Sequence, residues 1–227
     1  MPVDDSRFQG FPVEGIDFLK NLDQNNHRDW FQAHKTHYHE FLETPAKNFF
    51  EEMRTELEAF IGVSMTGKIY RFYRDVRFSK DKTPYNTHIR MSFHCENPEN
   101  KDCGAHPAFH FSLEKDGYIA GLGIFEFSKP LLAAYQAAVS DDDHGEKLGG
   151  ILDNFHSDGL RVESPEYKKV PRGYPADHPR GELLKKKGIS AWADCALDSD
   201  VHRSVITGRV LSHYKTMFPL YTWLESL

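Results

Sequence analysis

No stretch of the 227-residue chain approaches the ~20 consecutive apolar residues that a bilayer-crossing helix needs, so no membrane span is read from it. Its opening residues, MPVDDSRFQGFPVEG, lack the basic start and apolar run of a secretory leader. Cysteine is scarce. Cys95, Cys103 and Cys195 form no CxxC and are odd in number, which excludes a closed disulfide framework and suits reduced thiols in a cytoplasmic protein. Internal repeats, low-complexity tracts and Pro/Gly/Ser linkers are also missing, so one domain spanning 1–227 is expected. GxSxG, Walker and HExxH patterns do not occur, and the cysteines lack a local nucleophile signature. Nor is there a general positive excess. The net charge of −6 argues against sequence-independent coating of nucleic acid, which needs a broad basic face.

What is present is a core-forming composition, 39% hydrophobic and 13% aromatic, with one local inversion of charge. Residues 68–90, KIYRFYRDVRFSKDKTPYNTHIR, carry a formal +5, which leaves −11 for the rest. A basic island in an acidic protein concentrates anions locally. Arginine suits phosphate or carboxylate because its planar fork makes paired, charge-assisted hydrogen bonds. Within the island Arg71, Arg74, Arg77 and Lys82 are the candidate anion ligands. Asp75 and Asp81 are placed to orient them, and Tyr85 adds a phenol. Should chemistry occur there, Asp75 is the expected base and Lys82 the expected electrostatic stabiliser. The competing reading is a solvated strand whose charges pair with acidic helices at little gain per pair.

Around this stretch the chain reads as α+β. Ile16, Leu19 and Leu22 recur at helical spacing, and Asn25 or Asn26 is an expected N-cap for HRDWFQAHKTHYHEFLE. A further helix follows Pro45, burying Phe49, Phe50, Met53, Leu57, Phe60 and Ile61. Residues 68–78 then read as a strand that puts Arg71 and Arg77 on one face and Phe72, Arg74 and Phe78 on the other. His88–Cys95 is a second strand, and the Asp116-Gly117 turn closes a hairpin between two β-rich runs. Helices are expected over Pro130–Val139 and Gly145–Phe155, a short strand near Leu160–Val162, another from Gly188, and a last helix over Ser199–Met217. The expected architecture is a largely antiparallel sheet flanked by helices, with a helical N-terminal third and a C-terminal helix.

Other constellations have plainer explanations. Asn26, Arg28 and Trp30 form a polar-aromatic cluster at a helix start, which ordinary capping accounts for. Cys95, Cys103, His106 and His110 are all zinc-ligand types, but their spacing fits no metal template, so neither metal nor cofactor is expected. Gly121-Leu122-Gly123 lies in a strand rather than before a helix, which suits close packing better than phosphate binding. Asp141-Asp142-Asp143 reads as a solvated helix start.

Several segments together resemble one family, catalogued as domain of unknown function 2461. They are FLKNLDQNNHRDWFQAHKTHYHEFLETP, RFYRDVRFSKDKTPYNTH, YIAGLGIF, VPRGYPADHPRGELLKKKG and PLYTWL. The resemblance implies functional positions at Asn26, Arg28, Trp30 and Lys35 together with Arg71, Arg74, Asp75, Arg77, Asp81, Lys82 and Tyr85. It brings no established activity. One departure is noted: where the helix after the glycine strand usually carries an arginine, this chain has LLAAYQAA, with Tyr135 near that place. The expectation is a pocket for an anionic small molecule. An interaction module docking an acidic protein partner is the alternative, and single-stranded nucleic acid stacking on Tyr70, Phe72 and Tyr73 the weaker one.

Overall fold

The computed structural model describes residues 7–96 and 106–227. The N-terminal third is helical, with α1 (Val13–Gln24), α2 (Arg28–Ala33), α3 (Lys35–His37), a π-helical turn at Tyr38–Glu43, and α4 (Thr44–Ile61). Strands β1 (Met65–Ile69), β2 (His88–Cys95), β3 (Ala108–Glu114) and β4 (Gly117–Ile124) follow. The chain then runs through α5 (Lys129–Ser140), α6 (Asp142–Ser157), β5 (Arg161–Val162), α7 (Gly181–Leu184), β6 (Ile189–Ala196) and α8 (Val205–Glu225). The six strands form one antiparallel sheet in the order β1-β2-β3-β4-β6-β5, flanked by helices, so the fold is α+β. Among the described residues no helix is long and apolar enough to cross a membrane.

Two compact units divide the chain. Of the described residues, 7–96, 110–119 and 195–212 form the first. Its core is aromatic. Helix α1 buries Ile16, Phe18, Leu19 and Leu22, and α4 buries Ala46, Phe49, Met53 and Leu57, each along one helical face. Phe49 lies 4.5 Å from Phe111 of β3 and 5.2 Å from Phe11, ring centre to ring centre. Gly10 permits a close approach there. The Phe11 N–H donates to the Val201 carbonyl at 2.9 Å, and a Cβ on Gly10, where φ is 117°, would fall 2.3 Å from the backbone of Arg203.

Two expectations for this unit are corrected. The helix expected over HRDWFQAHKTHYHEFLE is broken, and its cap is neither Asn25 nor Asn26. His27 caps α2 instead, Nδ1 accepting from the Trp30 N–H at 3.4 Å. The break falls at His34, whose Nδ1–H donates to the Trp30 carbonyl at 2.8 Å while its ring stacks on the indole at 4.1 Å. There φ is −111° and ψ 13°, a local turn that interrupts the helix. The strand expected over 68–78 ends as regular β1 at Ile69. Beyond it the chain continues as an extended arm. Tyr70 N–H donates to Arg90 O, then Asn86 N–H to Phe72 O and Arg74 N–H to Pro84 O. Between the first two of these bonds the outgoing chain advances two residues and the returning chain four. This bulge resets which side chains face inward. Simple alternation therefore fails, with Phe72 buried and Phe78 96% exposed.

The second unit holds residues 106–109, 120–194 and 213–227 of those described. Its helices start and end where their side chains dictate. Asp141 caps α6 by accepting the His144 N–H at 2.9 Å, as expected of the aspartate run. Arg180 binds the last carbonyls of α5, Val139 at 2.7 Å and Ser140 at 3.2 Å. A Cβ on Gly121 would lie 2.2 Å from the Trp192 ring, so the glycine is there for packing. Helix α8 reaches Glu225, past the expected end at Met217, despite Pro219. Its continuation buries Leu220, Tyr221, Trp223 and Leu224, which offsets the bond lost at proline.

Candidate functional site

All eleven residues singled out from the sequence belong to the first unit, and the Arg71–Tyr85 arm carries seven of them. The arm is braced from within. Arg74 Nη1 donates to Asp81 Oδ2 at 2.5 Å, to the Thr83 carbonyl at 3.1 Å and to Thr83 Oγ1. Asp81 Oδ1 in turn accepts the Thr83 N–H at 3.0 Å. That backbone bond first, then Arg74, holds the Asp81 carboxyl down at about 2. Asp75 grips Arg77 with both oxygens, at 2.9 Å to Nε and 2.6 Å to Nη2. Lys82 Nζ donates to the Val76 carbonyl at 2.9 Å.

These contacts give Asp75 and Asp81 the orienting role expected of them, though each serves a different arginine. Asp75 is poorly suited to act as a base. The Arg77 bonds, with help from Arg71, hold its carboxyl below the usual range. Lys82 is spent on the loop backbone. Arg71 is exposed, with neither a hydrogen bond from its side chain nor an ion pair among the described residues.

Asn26 ties the arm to the helices. Its Nδ2 donates to the Tyr85 carbonyl at 2.9 Å, and its Oδ1 accepts the Tyr85 N–H at 3.1 Å. The Tyr85 ring is buried and stacks on Phe31 at 4.2 Å. Burial first and then Tyr73 raise its phenol's pKa, while Arg28 opposes the rise. Arg28 thus faces this end of the arm, and it too lacks a counter-ion among the described residues. Lys35 is exposed and equally unpartnered there.

Trp30 belongs elsewhere. With Phe18, Asn21, Asn25, His34, His37, Glu14 and Asp17 it lines an open groove of about 480 Å³. The helix-start positions implied by the resemblance therefore divide, Asn26 and Arg28 turning to the arm and Trp30 to a groove with two carboxylates. Of the three rings offered for base stacking, Phe72 is buried and only Tyr70 and Tyr73 are exposed.

Residues the sequence reading passed over lie on the adjoining sheet. Alternation on β2 sends Ile89, Met91 and Phe93 inward and leaves His88, Arg90 and Ser92 on the other face. On β3, Ser112 Oγ donates to Glu114 Oε1 at 2.6 Å, and Glu114 Oε2 lies 3.8 Å from His88 Nδ1. The signal was available: polar residues alternating with Ile89, Met91 and Phe93 in a strand already recognised.

For the metal candidates, Cys103 lies outside the described residues. His106 Nδ1 is 3.3 Å from Glu225, and burial, aided by His94, pushes His110 down to about 4. Among the described residues no group of three or more His, Cys, Asp or Glu side chains is placed to hold a metal ion. Tyr135, at the position of the missing arginine, is fully buried in the second unit and donates to the Leu183 carbonyl at 3.1 Å.

These features define the chain as an α+β protein of two compact units with a braced basic arm, and one family model covers nearly all of it. The model of that family, described as a conserved hypothetical protein (DUF2461), matches residues 14–223, and the chain belongs to it. A search of curated proteins found no match.

Proposed function

We propose that the first unit binds an anion, a phosphate or carboxylate group, at the Arg71–Tyr85 arm. One observation carries this reading. Arg28 and Arg71 have no carboxylate partner among the described residues, while Arg74, Asp81, Thr83 and Asn26 fix the backbone of the arm beside them. Cations held on a braced frame lose little freedom when a ligand arrives, so more of the interaction energy appears as affinity. The test is a thermal-shift series with inorganic phosphate, pyrophosphate and dicarboxylates. A ligand at 100 times its Kd should stabilise the protein by about 2.7 kcal/mol. The shift should vanish in Arg28→Ala/Arg71→Ala. No shift from any of these anions would overturn the proposal.

A second reading, docking of an acidic protein partner, is favoured by Phe78. This ring is 96% exposed, with the Arg77 guanidinium 5.9 Å from its centre. An exposed aromatic beside an arginine matches residue types enriched at protein interfaces. Phe78→Ala should abolish binding to acidic peptides and leave small-anion binding intact. Loss of both, or of neither, would sink this reading.

A further inference from the structure

The polar sheet face of the first unit assembles groups that the arm does not use. His88 and Arg90 are two residues apart on β2, hence about 7 Å apart on the same face. Arg90 is exposed and has neither a hydrogen bond from its guanidinium nor an ion pair among the described residues. Glu114 faces His88 from β3, its other oxygen held by Ser112, and Arg74 reaches His88 electrostatically from the arm. Tyr70 Oη lies 3.3 Å from Ser92 Oγ, which puts two hydroxyls beside these groups. The His88 side chain is 19% exposed, enough for a ligand to reach it.

We propose that this face is a proton-coupled anion site, in which a phosphate or carboxylate bridges Arg90 and His88, and His88 takes up a proton as the anion binds. The inference rests on the anion-binding reading above and adds a location and a proton. The reasoning is electrostatic. In the empty site burial, Arg90 and Arg74 all disfavour imidazolium, and Glu114 alone opposes them. An anion between Arg90 and His88 reverses that balance, because its charge screens the guanidinium and pairs with the imidazolium. The His88 pKa must then rise on binding. By linkage, anion affinity must rise as pH falls from the pKa of the bound state to the lower pKa of the free protein, by up to about tenfold per pH unit for one proton. Glu114 is a positioning residue, its carboxylate 3.8 Å from Nδ1 and so favouring the protonated ring.

The test uses inorganic phosphate and the full chain. Titration calorimetry in two buffers of different ionisation enthalpy reports proton uptake, and NMR titration of the His88 Cε1–H reports its pKa. The expected result is net proton uptake near neutral pH, a His88 pKa raised by phosphate, and binding weakened roughly tenfold or more in Arg90→Ala. In His88→Asn, binding should persist without proton uptake. NMR of the unmutated protein keeps the test open should that variant fold poorly. Phosphate that binds without moving the His88 resonance, and equally well in Arg90→Ala, would overturn this inference and leave anion binding at the arm standing. An absence of any phosphate, pyrophosphate or dicarboxylate binding would overturn both.

Discussion

Replacing Asn26 tests whether the basic arm is held to the helices by one side chain. Its amide makes two hydrogen bonds to Tyr85, at 2.9 and 3.1 Å, a strand-like pairing in which a side chain replaces the second backbone. Tyr85 is 2% exposed, so water cannot easily take over either bond. Asn26→Ala removes both and leaves a donor and an acceptor unmet. At about 1 kcal/mol net per bond, with part of the desolvation cost added, the loss should be about 2–4 kcal/mol. In a chain of this length each kcal/mol moves Tm by about 2–4 °C, so a fall of roughly 5–15 °C is expected.

Asn26→Asp is the sharper variant. The carboxylate can still accept the Tyr85 N–H but repels the carbonyl, whereas the protonated acid can donate to it. Its folded-state pKa must therefore lie above the unfolded value of about 3.9. The deficit against wild type should be smallest below that value, grow as pH rises to the folded pKa, and stay constant above it. Urea denaturation at pH 4 and pH 7 measures both variants. An Asn26→Ala protein within 0.5 kcal/mol (about the error of such work) would refute the tether. So would an Asn26→Asp deficit independent of pH.

Three further outcomes follow from individual contacts. Asp81 has a folded pKa of about 2, so its support of the loop is complete above the unfolded value near 4 and is lost as pH falls toward 2. The protection factor of the Thr83 amide, taken against the intrinsic exchange rate at each pH, should fall across that window in wild type and be low at every pH in Asp81→Ala. Gly121→Ala should destabilise the protein by about 1–3 kcal/mol, since its Cβ would overlap the Trp192 ring; an unchanged melting curve would show that the ring moves freely. Tyr135→Phe removes the bond to the Leu183 carbonyl and should cost about 1 kcal/mol in a denaturant melt, while any effect on phosphate binding would contradict its placement in the second unit's core.

Much of the fold was legible because its elements announce themselves locally. Ile16, Leu19 and Leu22 mark α1, and Asp116-Gly117 marks the β3–β4 turn. The glycines of β4 were rightly read as packing sites. What escaped the sequence depends on partners distant along the chain. Asn26 looked like a cap because capping is what asparagine does with its neighbours, yet here it pairs with a residue 59 positions away. The bulge between Tyr70 and Phe72 is set by the returning chain, so no periodicity in residues 68–78 could show that Phe72 turns inward while Tyr70 stays exposed, and Phe78 lies beyond the Arg74 bond to Pro84. The expected helix is interrupted at His34, where φ is −111° and ψ 13°, a local turn that apolar spacing does not register.

The same distinction separates the charge count from the electrostatics of the arm. Seven cations in residues 68–90 marked a candidate anion site, with Arg71, Arg74, Arg77 and Lys82 as its expected ligands, but the count cannot tell a cation that binds from one that braces. Arg74 and Arg77 are each closed on an aspartate, and Lys82 on a carbonyl. Their charge is present, but each side chain is turned toward a partner within the arm. The cations without a partner among the described residues include Arg71 on the arm, Arg28 at the start of α2 and Arg90 on the sheet. Two of these three lie outside the stretch from Arg71 to Tyr85, and of those two Arg28 was among the expected positions while Arg90 was not. A ligand group recruited by the whole island's field would therefore be coordinated by its margins, where guanidinium donors are still available. Neutralising Arg77 should then slow association and reduce its salt dependence with little change in dissociation rate, whereas removing Arg90 should speed dissociation. Stopped-flow measurements with a labelled phosphate ligand would separate the two, and equal effects on both rates in both variants would show that bracing and binding cations are not distinct.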